Sequence, residues 1–354
     1  MKSFVYQNLP MRVVFGDGAI SRLPEEVQRL GARSALVLCT EHQRASAERV
    51  TTLLGERAAG IYDRAQMHVP IETAQEAREM ARRLGADVCV AIGGGSTIGL
   101  GKAIALTSEL PIVAIPTTFA GSEMTPIYGI TENRLKKTGR DARVLPQSVI
   151  YDPALTSTLP PQIAATSGIN AIAHAVEALY SPDANPITTL MAEESIRTLS
   201  QSLPRLVQHR DDTEAASTAL YGAWLAGACL GAVGMALHHK LCHTLGGTFN
   251  LPHAEMHTVV LPHSIAYNRA AAPEAMERIS RALGGADPAQ GIYDLAANLG
   301  TPLSLREIGM PEDGLETAAQ LATENPYYNP QPIDRASILE LLTHAYQGKR
   351  PSSR

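Results

Sequence analysis

An α/β domain followed by an all-helical one is the fold that this chain predicts, on three observations. Up to about residue 150, short apolar runs alternate with helical patterns; a proline-studded connector, YDPALTSTLPP at 151–161, follows; beyond it strand signals almost vanish. Alternation of strand and helix argues for a doubly wound parallel sheet with ligands at the carboxyl ends of its strands. At 354 residues the chain exceeds one ordinary core, so two domains are expected, over 1–155 and 156–354.

Taken in order, SALVLC at 34–39 reads as a buried parallel strand, 45–54 as a helix, and TAQEAREMARRL at 73–84 as a clearer amphipathic helix. DVCVAI at 87–92 is a further strand, followed by GGGST and a helix to about residue 107; IVAI at 112–115 is another, ended by Pro116. Past the connector, 162–208, 212–248 and 273–299 are rich in Ala and Leu with helical period, and 316–323 and 338–346 add shorter helices around the loop ENPYYNPQP. The chain carries no evident repeat or low-complexity segment.

Composition narrows the partners. With 45% hydrophobic and 18% charged residues, a net charge of -5 and a pI of about 6.1, nothing points to nucleic acid or to an anionic membrane. An acidic substrate would then need a locally basic site. Cys39, Cys89, Cys229 and Cys242 are scattered without CxxC spacing, and three of them lie in apolar runs, as reduced core thiols do in the cytoplasm. The N-terminal MKSFVYQNLPMRVVFG lacks the apolar stretch of a signal peptide. From Ala219 to Leu237 no residue is charged, a length near that of a bilayer span. Four glycines and the HHK that follows make a buried core helix the better expectation.

Two loops are candidates for a dinucleotide. Gly93, Gly94, Gly95, Ser96 and Thr97 leave a strand and open a helix, where glycines let backbone approach a phosphate and the helix N-terminus supplies free N–H groups. The pattern is not GxGxxG; a packing turn is the plainer account, and the strand-to-helix context favours pyrophosphate. PTTFAGSE at 116–123 also leaves a strand, and Thr117 and Thr118 offer hydroxyls, although such loops are often turn chemistry alone. The turn Phe15-Gly16-Asp17-Gly18 adds weaker candidates in Gly16 and Gly18. After the strand at 34–39 stands Thr40-Glu41, where an acid would accept the adenosine ribose hydroxyls; Thr40 would tolerate a 2′-phosphate. NADH against NADPH is therefore open.

Chemistry concentrates between Gly234 and His263, in GMALHHKLCHTLGGTFNLPHAEMHTVVLPH, where six of eleven histidines fall. On helices His239 and His243 share a face, as do His253 and His257, and GGTFNLP could fold one pair toward the other. Any single imidazole is more simply a satisfied core residue; six beside Lys240 are not. Asn170 and His174, four apart on a predicted helix, complete with His239 and His253 a set resembling a divalent-metal site. A good oxygen ligand is anionic, and Asn170 is a neutral amide, though three imidazoles still hold zinc.

GGGST, PTTFAGSE, NAIAHAVEALY and HHKLCHTLGGTFNLPH resemble the iron-containing alcohol dehydrogenase superfamily, which has the dehydroquinate synthase-like fold. FAGSEMTPIYGIT, KKTGRD and ALYGAWLAGACLGAVGMALHHKLCHTLGG carry the resemblance further, to its maleylacetate reductase branch, from FVYQNLPMRVVFG to at least IAYN at 265–268. The resemblance implies a dinucleotide-binding α/β domain, a helical substrate and catalytic domain, and a cytoplasmic homodimer. The metal ligands of relatives, an Asp and three His, match Asn170, His174, His239 and His253. The missing Asp implies a vestigial site and no required metal. The implied reaction is NAD(P)H-dependent reduction of maleylacetate, chlorinated or not, to 3-oxoadipate in degradation of aromatic compounds.

Reducing a conjugated C=C leaves an enolate, whose shared charge positioned donors can stabilise without a Lewis acid; an acid then protonates the α-carbon. The expected roles are as follows. His243, His253 and Lys240 are catalytic; Asn170, His174, His239, His257 and Tyr128 of the PIYGIT loop bind the dicarboxylate, with Lys240 and these three imidazoles as its basic wall; Lys137 of KKTGRD joins the cofactor-binding set. For Lys240 a snorkelling side chain is as good an account, and Tyr327 and Tyr328 are expected to pack. The rival readings are a metal-dependent alcohol or glycerol dehydrogenase, and a non-catalytic protein that binds dinucleotide or metal.

Overall fold

The computed structural model describes residues 3–132 and 135–352. Contacts divide the chain into two compact units, one over 8–159 and one joining the N-terminal residues up to Gln7 with those from Pro160 onward.

In the first unit the strands are β1 (Arg12–Phe15), β2 (Ala35–Leu38), β3 (Ala58–Tyr62), β4 (Val88–Gly93), β5 (Ile112–Pro116), β6 (Ile127–Glu132), β7 (Leu135–Arg140) and β8 (Ser148–Tyr151). Its helices are α1 (Leu23–Arg29), α2 (Arg44–Leu54), α3 (Ile71–Leu84) and α4 (Gly95–Ser108). Six strands form one parallel sheet in the order β1-β8-β5-β4-β2-β3. β2, β4 and β5 are buried along their whole length, which is why they read as unbroken apolar runs. α3 buries Thr73, Ala74, Ala77 and Ala81, one face at helical spacing, and stops at Gly85 in the left-handed region. From β2 the chain moves outward to β3, then returns to β4 on the other side of β2. The direction reverses between β2 and β4, and open α/β sheets bind ligands at the carboxyl ends beside such a reversal.

The hairpin β6–β7 corrects the sequence reading, in which PIYGIT was a loop. Its six pairs run antiparallel from Ile127↔Arg140 to Glu132↔Leu135. The charged second strand, LKKTGR, hides the alternation that betrays a half-buried strand.

The second unit holds nine α-helices among the described residues: α5 (Pro161–Tyr180), α6 (Pro186–Gln208), α7 (Thr213–Ala232), α8 (Leu237–Phe249), α9 (His253–Asn268), α10 (Pro273–Ala282), α11 (Pro288–Asn298), α12 (Leu315–Thr323) and α13 (Arg335–Gln347). The expected long helical stretches are each broken. Asn185 caps α6 in a capping box with Thr188, ahead of Pro186; Asp287 caps α11 by accepting from the Gln290 N–H. α7 is long and apolar enough to cross a membrane, yet it packs on α5 and α6 as a core helix does. Leu237, Leu241 and Leu245 line one face of α8 and pack with Met256, Val259 and Val260 of α9, and with residues of α12 and α13. That apolar seam leaves the histidine-bearing face of α8 turned another way.

Candidate active site

Three helices bring the expected histidines together. Asn170 and His174 project from α5, His239 and His243 from α8, His253 and His257 from α9. Ring centroids lie 5.1 Å apart for His174–His239, 5.0 Å for His239–His257, 6.1 Å for His239–His243 and 4.4 Å for His253–His257. Asn170, His174, His239 and His257 are buried. Burial, then the neighbouring rings, hold the pKa of His174 and of His257 well below the usual imidazole value. Both are therefore neutral at neutral pH. They offer hydrogen-bonding capacity without the charge that a basic wall would need, because burial and the neighbouring imidazoles both disfavour the protonated form.

Two residues that sequence reasoning passed over set the roles of these rings. Glu177 of α5, fully buried, lies 2.6 Å from His239 Nδ1 and accepts from the backbone N–H groups of Ala236 and His238 at 2.8 and 2.6 Å. His238, absent from the expected set, places Nε2 2.9 Å from His257 Nδ1 and 3.8 Å from Cys242 Sγ, while its Nδ1 lies 3.3 Å from Ser264 Oγ. His238, Cys242 and His257 have the residue types of a soft metal site, but the two imidazoles satisfy each other. Glu177 sits three residues past His174 on the same helix, a spacing that could have marked it.

Lys240 and His243 meet a strap from the C-terminal part of the unit. Lys240 Nζ donates to the Glu324 carbonyl at 2.8 Å and lies 5.9 Å from the Tyr327 ring centre; His243 Nδ1 is 3.0 Å from the Tyr327 hydroxyl. Asn268 and Asn329 exchange amide hydrogen bonds at 2.7 and 3.0 Å, which anchors the same segment to α9. Tyr327, expected only to pack, thus orients a histidine of the cluster. α9 begins at His253 with no side chain capping its first turn, so its leading N–H groups favour an anion.

In the α/β unit the glycine loop ends β4 and opens α4 at Gly95, where again no side chain caps the first turn. A Cβ on Gly93 would lie 2.5 Å from Thr97 Oγ1 and 2.6 Å from Gln43 Oε1, and one on Gly94 would press on Thr118 at 3.0 Å. These two glycines answer to packing. Gly95 is exposed, and a Cβ there would meet only Ala120 at 3.8 Å. Thr97 Oγ1 is buried with no hydrogen-bond partner. An uncapped helix start beside an orphaned hydroxyl fits a pyrophosphate, with Gly95, Ser96 and Thr97 nearest in the chain to hold it.

Gln43, unsuspected from the sequence, ties the rest of this site together. Its Nε2 donates to Thr117 Oγ1 at 2.8 Å, and Thr40 Oγ1 donates to its Oε1 at 3.2 Å. Glu41 is exposed. Lys102 of α4, wholly buried, donates from Nζ to the carbonyls of Ser122, Thr125 and Ile127 at 2.6–2.8 Å, fixing the loop after β5. Burial pushes its pKa down to about 7, against the raising effect of Glu123. Glu123 accepts from the Tyr151 hydroxyl at 2.8 Å.

Other expected positions fall elsewhere. Gly16 and Gly18 stand at the end of β1, three strands from β4, where Asp152 accepts from the Gly18 and Ile20 N–H groups at 3.3 and 3.1 Å. Tyr128 lies across Gly139, its partner on β7, since a Cβ there would fall 2.5 Å from the hydroxyl. Lys137 is exposed and paired with Glu132. Tyr128 thus packs within the hairpin, and Lys137 pairs at its surface.

The residues at the four metal positions fit a dication in part. Asn170 Oδ1, His174 Nδ1 and His239 Nε2 are buried without hydrogen-bond partners, and imidazoles suit zinc or iron. The anionic ligand is lacking: the carboxylate of Glu177 stands behind His239.

Comparison with known proteins agrees with this geometry. The iron-containing alcohol dehydrogenase model matches residues 10–153, and the C-terminal model of the Fe-containing alcohol dehydrogenase family matches 164–346. Maleylacetate reductase of Burkholderia cepacia is 60% identical over 99% of this chain and 100% of its own, and that of Sphingobium indicum 56% identical over 98% and 99%. The crystal structure of maleylacetate reductase from Agrobacterium tumefaciens superposes with a TM-score of 0.96 at 51% identity, covering 99% of this chain and 100% of that one. Matched by both halves of one family and by these relatives along nearly its whole length, the chain belongs to the iron-containing alcohol dehydrogenase family, in its maleylacetate reductase branch.

Proposed function

We propose that the chain reduces the conjugated C=C of maleylacetate with NAD(P)H, giving 3-oxoadipate in the degradation of aromatic compounds, and that it needs no metal to do so. Identity of 60% with a maleylacetate reductase over 99% of the chain carries the reaction. The neutral Asn170 among imidazoles carries the metal-free part. A carboxylate there would repel a dianionic substrate.

NAD(P)H, when bound, supplies the hydride. The first turn of α4 and Thr97 hold its pyrophosphate, and Thr40 and Gln43 past the end of β2, with Thr117 past the end of β5, frame the same site. On the helical side, Lys240 and the uncapped start of α9 offer positive potential to the substrate carboxylates. His253, the first residue of α9, and His243, oriented by Tyr327, polarise the ketone and donate the proton that the α-carbon takes up. Neutral His174 and His257 shape the pocket without adding charge. A dication, if held by Asn170, His174, His239 and His253, would supply Lewis-acid stabilisation of the enolate oxygen.

The unpartnered Asn170 Oδ1, His174 Nδ1 and His239 Nε2 are what favours the metal-dependent alternative. Following NADH and NADPH absorbance with maleylacetate, before and after exhaustive chelation, decides between them. Turnover that survives chelation supports the metal-free reading; turnover that returns only with iron or zinc overturns it. We also infer a cytoplasmic homodimer. Four free, buried cysteines support a reducing compartment, and sedimentation tests the dimer.

A further inference from the structure

One amide spans the carboxyl ends of three strands. Gln43, half-buried, closes the single turn Glu41–Gln43 between β2 and α2. Its Oε1 accepts from Thr40 Oγ1 at 3.2 Å, past the end of β2. Its Nε2 donates to Thr117 Oγ1 at 2.8 Å, past the end of β5. Between the two lies the end of β4, where a Cβ on Gly93 would fall 2.6 Å from Gln43 Oε1. The glycine therefore makes room for the amide. These strands are neighbours in the sheet, and the strand order reverses between β2 and β4. A dinucleotide with its pyrophosphate on the first turn of α4 extends its adenosine ribose over the end of β2.

A carboxylate at that place accepts the ribose hydroxyls and repels a 2′-phosphate. The group that Gln43 brings there is neutral. Its oxygen can accept from a 2′-hydroxyl, and its nitrogen can donate to a 2′-phosphate. Thr40 and Thr117 flank the amide with hydroxyls, which donate or accept as their rotors turn. The amide can thus face either way and keep both hydrogen bonds. Two carboxylates on the neighbouring elements are already neutralised: Glu48 of α2 and Asp63, just past β3, both pair with Arg44 at the start of α2. We propose that Gln43 reads the 2′ position of the dinucleotide, and that a neutral amide there is what admits NADPH beside NADH. It rests on the dinucleotide site of the reductase reading and on nothing about the keto-diacid.

The fluorescence of NADH and of NADPH, titrated with the whole enzyme in the absence of maleylacetate, gives a dissociation constant for each and so their ratio. The native enzyme should bind both. Gln43→Glu should weaken NADPH relative to NADH on the order of 10–100-fold, as a carboxylate set close to a phosphate does. Gln43→Lys should move the ratio the other way. Thermal melts show which variants fold. A native enzyme that binds NADH alone overturns the proposal, as does a folded Gln43→Glu or Gln43→Lys that keeps the native ratio. A ratio that moves as far in Glu41→Gln assigns the ribose to Glu41 and overturns it too. An enzyme that binds both dinucleotides yet leaves maleylacetate unreduced sinks the substrate reading alone, and the ratio still decides the part played by Gln43.

Discussion

At the end of β4 the chain offers a ligand its backbone; across α5, α8 and α9 it offers side chains. The glycine loop is local, five residues between a strand and a helix, and it takes its form from the strand-to-helix step itself. The histidine cluster is assembled from three helices, the first ending at Tyr180 and the last beginning at His253. Its rings are close to interchangeable until something outside the motif tells them apart. Glu177, His238 and Tyr327 do that telling, through hydrogen bonds at 2.6, 2.9 and 3.0 Å. A backbone site can thus be altered by adding a single carbon, whereas a side-chain site changes by losing one hydrogen-bond partner.

The largest effect expected from this contrast is at His243. His243→Ala should lower kcat by roughly 10²–10⁴-fold, as loss of an acid or a polarising group does, with the dinucleotide KM unmoved. Tyr327→Phe, which removes only the orienting hydroxyl, should cost far less in the same assay. Equal losses would mean that the strap, and not the imidazole, carries the step.

At the other region, Gly93→Ala should weaken dinucleotide binding and destabilise the α/β unit by about 1–3 kcal/mol, read by fluorescence titration and by denaturant melts. The added methyl meets Thr97 and Gln43, and the backbone there has a φ of 153°. An unchanged affinity would show that the loop tolerates what its packing forbids.

A smaller effect separates the two regions by pH. His174, His238 and His257 are held well below 6.5 in the folded chain, chiefly by burial, and His263 is pushed down to about 4. The unfolded chain takes up these protons first, so stability is complete above pH 6.5 and drains away as the pH falls toward 4. Each ring adds up to about 1.4 kcal/mol per pH unit within that window. Denaturant midpoints of the native enzyme and of His257→Gln should diverge at neutral pH and converge on acidification. A parallel course would deny that His257 is buried as a neutral ring.

How much of this was legible in the chain differs between the regions for the same reason. Strands β2, β4 and β5 could be read because burial on both faces writes an unbroken apolar run, and GGGST because it must follow one of them. The hairpin β6–β7 could not, since its lysines mask the alternation. The histidines announced a site, and their four-residue spacing paired them correctly on α8 and α9. Their spacing held no sign that His174 and His257 are neutral, because charge depends on how deeply a ring is buried and on what surrounds it. Nor could it show that Tyr128 is taken up by Gly139, a contact made across a hairpin.

By itself the sequence determined the family, the order of the two units, and which residues are candidates for the chemistry, because motifs and periodicity are properties of neighbours along the chain. Only the tertiary structure decided what each of those residues is free to do. A protonation state or a capped helix end is settled by partners that the chain brings from far away, as α5 brings Glu177 to the start of α8.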